Sequence, residues 1–152
     1  MAFTGNYMTT SFKLDLLNGK QAFGTTVTRA STAADTYKIA LYTSSATLDA
    51  STTAYSATNE ITNTSGSAYT AGGETLTGAT STSSGTTAYA DFSDVSWSSA
   101  SFTARGALIY NSTQSNSSVV VLDFGSDKTA SAGTFTVIFP TNDSSNAIIR
   151  IA

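Results

Sequence analysis

The stretch TYKIALYT, residues 36–43, alternates: Tyr37, Ile39 and Leu41 fall on one side, and Lys38, Ala40 and Tyr42 on the other. A repeat of two residues is the signature of a β-strand, whose successive side chains point to opposite faces. The same alternation recurs toward the C-terminus. Residues 88–92, 94–97, 102–110, 119–124, 134–139 and 147–151 read as strands, separated by the turn-rich segments SSAS, NSTQSNSS, GSDKTASAG and PTNDSSN. Pro140 stands just past a strand, where its missing N–H breaks no central ladder. Between the two regions lie a Ser/Thr/Ala loop at 44–58 with one helical turn after Asp49, a short strand at 59–62, a Gly72-Gly73 turn and a strand at 75–80.

Toward the N-terminus the pattern changes. Residues 10–18 predict a short helix: Thr9 or Thr10 can cap it, Phe12, Leu16 and Leu17 share a face, and Gly19 can end it. Ahead of it, residues 1–9 carry Phe3, Tyr7 and Met8, too much apolar bulk for a solvated tail, and they read as a contact arm. About eight or nine short strands with almost no helix predict an all-β fold. The expected architecture is an antiparallel β-sandwich of jelly-roll type with one short N-terminal helix, residues 10–152 forming a single domain.

Composition narrows the chemistry. The chain has 152 residues with no cysteine and no histidine, one proline, and charged residues held to 11%. Ser and Thr supply about a third of it, against the Leu, Ala, Gly and Glu of average composition. Without histidine or cysteine, the most-used general base and the strongest nucleophile are missing, so the chain reads as a structural or binding module and not an enzyme. Disulfides and thiolate metal sites are excluded, and no cofactor is expected. The net charge is −3 and the seven Lys and Arg are scattered singly, which leaves no basic stripe for nucleic acid. No apolar run approaches a membrane span, and the opening MAFTGNYMTTSFKLDLL does not read as a secretory signal. Neither nucleic acid nor membrane is expected as a partner.

A few side chains merit a chemical reading. Asp91 with Asp94, and Asp123 with Asp127, are carboxylate pairs of the kind glycoside hydrolysis uses, or else strand-end and turn aspartates that accept backbone N–H bonds. The segment 123–127, DFGSD, offers oxygens to a calcium ion but lacks the further ligands that make such a loop specific; a tight turn is the alternative. Arg105 and Arg150, set in apolar strands, either pair with an aspartate of the chain or reach across a subunit interface. Trp97 and the tyrosines are core residues or a sugar-binding platform.

Four segments carry a resemblance: DTYKIALYTSSATLDASTTAY (35–55), TNEITNTSGSAYTAGGETL (58–76), GTTAYADFSDVSWSSASFTARGALIYN (85–111) and VVVLDFGSDKTASAGTFTVIFPTNDSSNAIIRIA (119–152). The chain resembles a family of small virion structural proteins of tailed bacteriophages. The resemblance implies a virion component made in the host bacterial cytoplasm: a capsid decoration (cement) protein, or a tail or head fibre module that binds host-surface glycan. It supplies no catalytic residues. An acidic chain suits the outer capsid surface better than the genome-facing side, because contact with DNA favours cationic surfaces. The expected partners are the major capsid protein and copies of the chain itself at two-fold or three-fold positions, with Phe3, Tyr7 and Met8 as candidate interface residues.

Overall fold

A computed structural model of the chain describes residues 5–17, 19–23, 34–62 and 68–152. Among them the chain order is β1 (Tyr7–Met8), α1 (Thr10–Leu17), β2 (Tyr37–Tyr42), β3 (Glu74–Thr75), β4 (Thr80–Ser84), β5 (Thr87–Asp91), β6 (Val95–Asn111), β7 (Ser117–Val137) and β8 (Ile149–Ile151). These strands build two antiparallel sheets, one ordered β1-β7-β6-β2-β3 and the other β4-β5-β8. Phe92 and Ile149 of the smaller sheet's side join Ile39, Leu41 and Ile109 of the larger in one buried cluster, so the architecture is an all-β sandwich with a single short helix.

The alternation in β2 is realised on both faces. Tyr37, Ile39 and Leu41 enter the cluster between the sheets. Ala40 and Tyr42 enter a second cluster on the opposite face, where Ala46, Leu48 and Tyr55 of the 44–58 loop cover Leu108, Tyr110 and Val121. A central strand covered on both sides loses the polar phase of its pattern, which is why β2 is buried almost throughout. Behind it Gly73 adopts φ +67° beside β2, and a Cβ there would lie 1.8 Å from the Ile39 carbonyl oxygen. Only glycine fits that position.

Helix α1 has the predicted ends. Thr9 Oγ1 accepts the Phe12 N–H at 3.3 Å, and the Gly19 and Lys20 N–H groups return to the Leu16 and Asp15 carbonyls, a Schellman closure. Phe12 is fully buried, edge-on to Phe23, which stacks on Tyr37 at 4.5 Å.

The largest departure from the sequence pattern is in β6 and β7. SSAS and GSDKTASAG predict turns, yet both lie inside long strands that form one antiparallel ribbon from Val95↔Val137 to Asn111↔Ser117. Hydroxyl pairs hold its polar stretches, Ser96 with Thr136 at 2.9 Å and Thr103 with Thr129 at 2.8 Å. The turn-forming residues become bulges instead, with Ser99 and Ala132 at positive φ beside register shifts and Gly125 in the longest unpaired excursion. The bulges bend the ribbon sharply. Eleven residues of straight strand span about 36 Å, but the Phe124 and Phe135 rings of β7 sit 6.2 Å apart. Elsewhere, the strand predicted at 59–62 reduces to a single bridge between Tyr42 and Glu60, and the one at 75–80 divides into β3 and β4 around Gly78.

Candidate functional site

The carboxylates come first, since they carry whatever catalytic chemistry the chain has. Asp91 ends β5 and is 2% exposed; its Oδ1 accepts the Phe92 N–H at 2.8 Å, while Oδ2 makes no well-formed hydrogen bond among the described residues. Burial raises its pKa above the usual carboxylate range, opposed by the backbone amides of Phe92 and Ile148. Asp94 instead faces solvent and accepts the Phe139 N–H at 2.8 Å. The first pair thus splits between a buried strand end and a backbone tether. Because the folded pKa of Asp91 lies above the unfolded one, its ionised form destabilises the fold at neutral pH, and this cost vanishes once both states are protonated. Asp91→Asn is expected to raise the thermal midpoint at pH 7, with the gain fading below the ordinary carboxylate range. A less stable variant at pH 7 would show that the charge is compensated.

Asp123 is held by Arg105 at 3.2 Å and by the Gly125 N–H at 2.8 Å, and Asp127 is exposed on the bulge. Arg105 therefore forms its ion pair within the chain. Among the described residues no three acidic side chains gather where a cation would sit. Ser118, fully buried, bonds to the Ser11 and Thr9 hydroxyls and to the Thr52 carbonyl. Trp97 is 2% exposed and packs on Tyr69 and Phe135, in the core and not on a surface platform.

Three large apolar side chains are exposed among the described residues, Leu14, Ile138 and Ile151, and the most exposed, Ile138, lines a groove of about 490 Å³ between the β1–β7 edge and the segment 138–150. Tyr7 and Met8 line it; Phe3 lies outside the described residues. They are placed there by pairing with Val121 and Val120, and the Asn6 side-chain carbonyl extends the pairing by accepting the Asp123 N–H at 2.6 Å. Since β1 has only two residues, β7 beyond Val121 has no strand partner on its outer side among the described residues. The other wall is fixed by Asp94 holding Phe139 and by a turn in which Asp143 Oδ1 accepts the Ser145 and Asn146 N–H groups. The Asn146 side-chain amide, first among these donors, holds the Asp143 carboxyl below the usual range.

Sequence reasoning selected Tyr7 and Met8 but missed Ile138, which is 75% exposed on this groove. The signal was present in TFTVIF: Phe135, Val137 and Phe139 are buried, so Ile138 is an apolar residue on the solvent phase of the alternation. Phe124, Val137 and Ile138 also line a second concavity of about 510 Å³ along the bent strand, which makes the two one extended surface. Its charged lining is sparse. Asp123 is already paired, exposed Lys128 donates to the Ser126 hydroxyl at 3.0 Å, and Arg150 acts on the Asp143 carboxylate and makes a long 3.4 Å contact to the Ser144 carbonyl. Such a surface offers apolar contact, open backbone edges, the Arg150 guanidinium and the exposed Lys128 ammonium, which suits an extended polypeptide segment. The chain matches no protein-family model, no characterised protein sequence and no solved structure.

Proposed function

We propose that the chain is a bacteriophage capsid decoration (cement) protein that bridges neighbouring major capsid subunits on the outer surface of the head. The observation that carries the reading is the groove beside Ile138: a solvent-exposed apolar surface next to an unpaired strand edge is what a protein keeps for a partner. The resemblance of four segments to tailed-phage virion proteins supports the virion, and the net charge of −3 supports the outside of the shell over its DNA-facing side. In this reading an extended segment of a capsid subunit lies along the groove, its apolar side chains against Met8, Leu122 and Ile138, with an acidic group near Arg150. Copies of the protein then stand at two-fold or three-fold positions of the shell.

Cryo-electron microscopy of the intact particle with icosahedral averaging tests the placement. Density for this fold repeated over the lattice, groove toward the shell, is the expected result; density confined to the tail or fibres would overturn the reading in favour of adhesion. Ile138→Asp tests the surface. Burial of an isoleucine side chain contributes about 1.5–3 kcal/mol, so the variant should bind capsids roughly ten- to a hundred-fold more weakly while keeping its thermal midpoint. Unchanged capsid affinity would mean that another face attaches.

A further inference from the structure

The two sheets expose several strand edges, and the sequence guards them unequally. Native proteins protect edges by shortness, charge, proline or bulges. β1 and β3 are two residues each. The open edge of β7 carries Asp127, Lys128 and the bulges at Gly125 and Ala132. β8 has Arg150 at its centre. β4 has none of these protections: it is five residues long, reads TSTSS, is exposed throughout, and pairs only with β5 among the described residues.

We propose that the outer edge of β4 is a two-fold interface between two copies of this chain, joining the two small sheets into one continuous sheet ordered β8-β5-β4-β4-β5-β8. Charge selects the occupant. Self-pairing of β8 about its centre would set two guanidinium groups against each other, whereas β4 meets its own copy with no charge at all. The register follows from the hairpin. β4 and β5 are joined by the two-residue turn Gly85-Thr86, with Ser84 opposite Thr87 and Thr82 opposite Tyr89. In such a hairpin the pair flanking the turn is hydrogen-bonded and the pairs alternate from there. Thr82 therefore directs its N–H and C=O toward β5, and Ser81 and Ser83 direct theirs outward. A two-fold axis through Thr82 sets Ser81 of each copy against Ser83 of the other, so all four outward N–H groups find carbonyls. The two Thr82 side chains become the close central pair. This pairing does not depend on where, or whether, the protein sits on a virion.

Five residues of edge bury less than the roughly 1,200 Å² of a stable interface, so the free protein should dimerise weakly and the dimer should gain from high local concentration. Sedimentation equilibrium on the full chain is expected to show a mass rising from 15.6 kDa toward twice that value as concentration approaches about 1 mM. Ser83→Pro removes an outward N–H and leaves the β4–β5 ladder intact; with an unchanged circular dichroism spectrum, it should abolish the rise. Thr82→Lys and Thr82→Glu should each weaken association alone and restore it when mixed, because the axis brings the two side chains together. A wild-type mass that stays at the monomer value, a Ser83→Pro protein that associates as well as wild type, or Thr82 variants that do not rescue each other would each overturn the proposal.

Discussion

Glu60→Ala is expected to cost the fold about 3–5 kcal/mol, the range seen when one partner of a buried charged network is removed. Glu60 is 5% exposed and follows a loop of small polar residues. Its Oε1 accepts the Tyr69 hydroxyl at 2.6 Å and the Gly72 N–H at 2.7 Å, and its Oε2 accepts the Tyr55 hydroxyl at 2.6 Å. Each donor left buried without an acceptor costs about 1–3 kcal/mol. The damage spreads beyond these contacts. The Tyr69 oxygen also accepts the Leu41 N–H at 2.9 Å, and Tyr110 donates to the Gly72 carbonyl at 2.7 Å, so the carboxylate ties β2, β6 and the Gly72-Gly73 turn together. For a chain of this length the loss corresponds to a fall in thermal midpoint of roughly 10 °C or more. Glu60→Gln keeps the volume and one acceptor and should lose less, because only one tyrosine hydroxyl must turn to accept from the new amide. Thermal unfolding followed by circular dichroism measures both; a Glu60→Ala midpoint within a degree or two of wild type would show that water replaces the carboxylate.

Glu60 also shows where sequence reading stops. The all-β class, the helix with its Thr9 cap and Gly19 end, and the two faces of β2 are local patterns, legible because each rests on residues close in the chain. Glu60 draws its partners from Tyr55, Tyr69 and Gly72, and no spacing in ATNEITN marks it as buried. The long ribbon was hidden for another reason. Ser, Thr and Gly favour turns in isolation, but opposite another Ser/Thr row they form cross-strand hydroxyl pairs, and that row lies 26 to 40 residues away. The covering of the second face of β2 was equally obscure, since the 44–58 loop contributes only a few apolar residues, among them Ala46, Leu48 and Tyr55. The groove lay between these cases: Tyr7 and Met8 stood out by bulk, and Ile138, just past the end of β7, only against the alternation that leads up to it.

The second large effect is alkaline collapse, driven by tyrosines. Tyr37, Tyr42 and Tyr69 are at most 1% exposed. Burial is the main cause holding each phenol above its ordinary value of 10.0, reinforced by the charge of Asp35 at Tyr37, the charge of Glu60 at Tyr42 and a hydrogen bond to Glu60 at Tyr69. Half-buried Tyr55 is raised in the same direction by burial and by Glu60. A folded pKa above the unfolded one means that the stability is fully present below pH 10 and is lost as pH rises from there toward the folded values. Over that window the unfolded chain releases protons that the folded chain keeps, at up to about 1.4 kcal/mol per pH unit for each phenol. Three such phenols together approach about 4 kcal/mol per pH unit, so a domain of ordinary stability, about 5–15 kcal/mol, should unfold cooperatively between about pH 11 and 13. Phenolate absorbance recorded alongside far-ultraviolet circular dichroism tests this directly. Part of the phenolate signal from the seven tyrosines should appear near pH 10 with the β-sheet spectrum unchanged, and the rest only in the step that destroys it. If all seven ionised together near pH 10 while the sheet persisted, the interior would be admitting hydroxide or water to these rings, and the packing of Tyr37, Tyr42 and Tyr69 described above would be wrong.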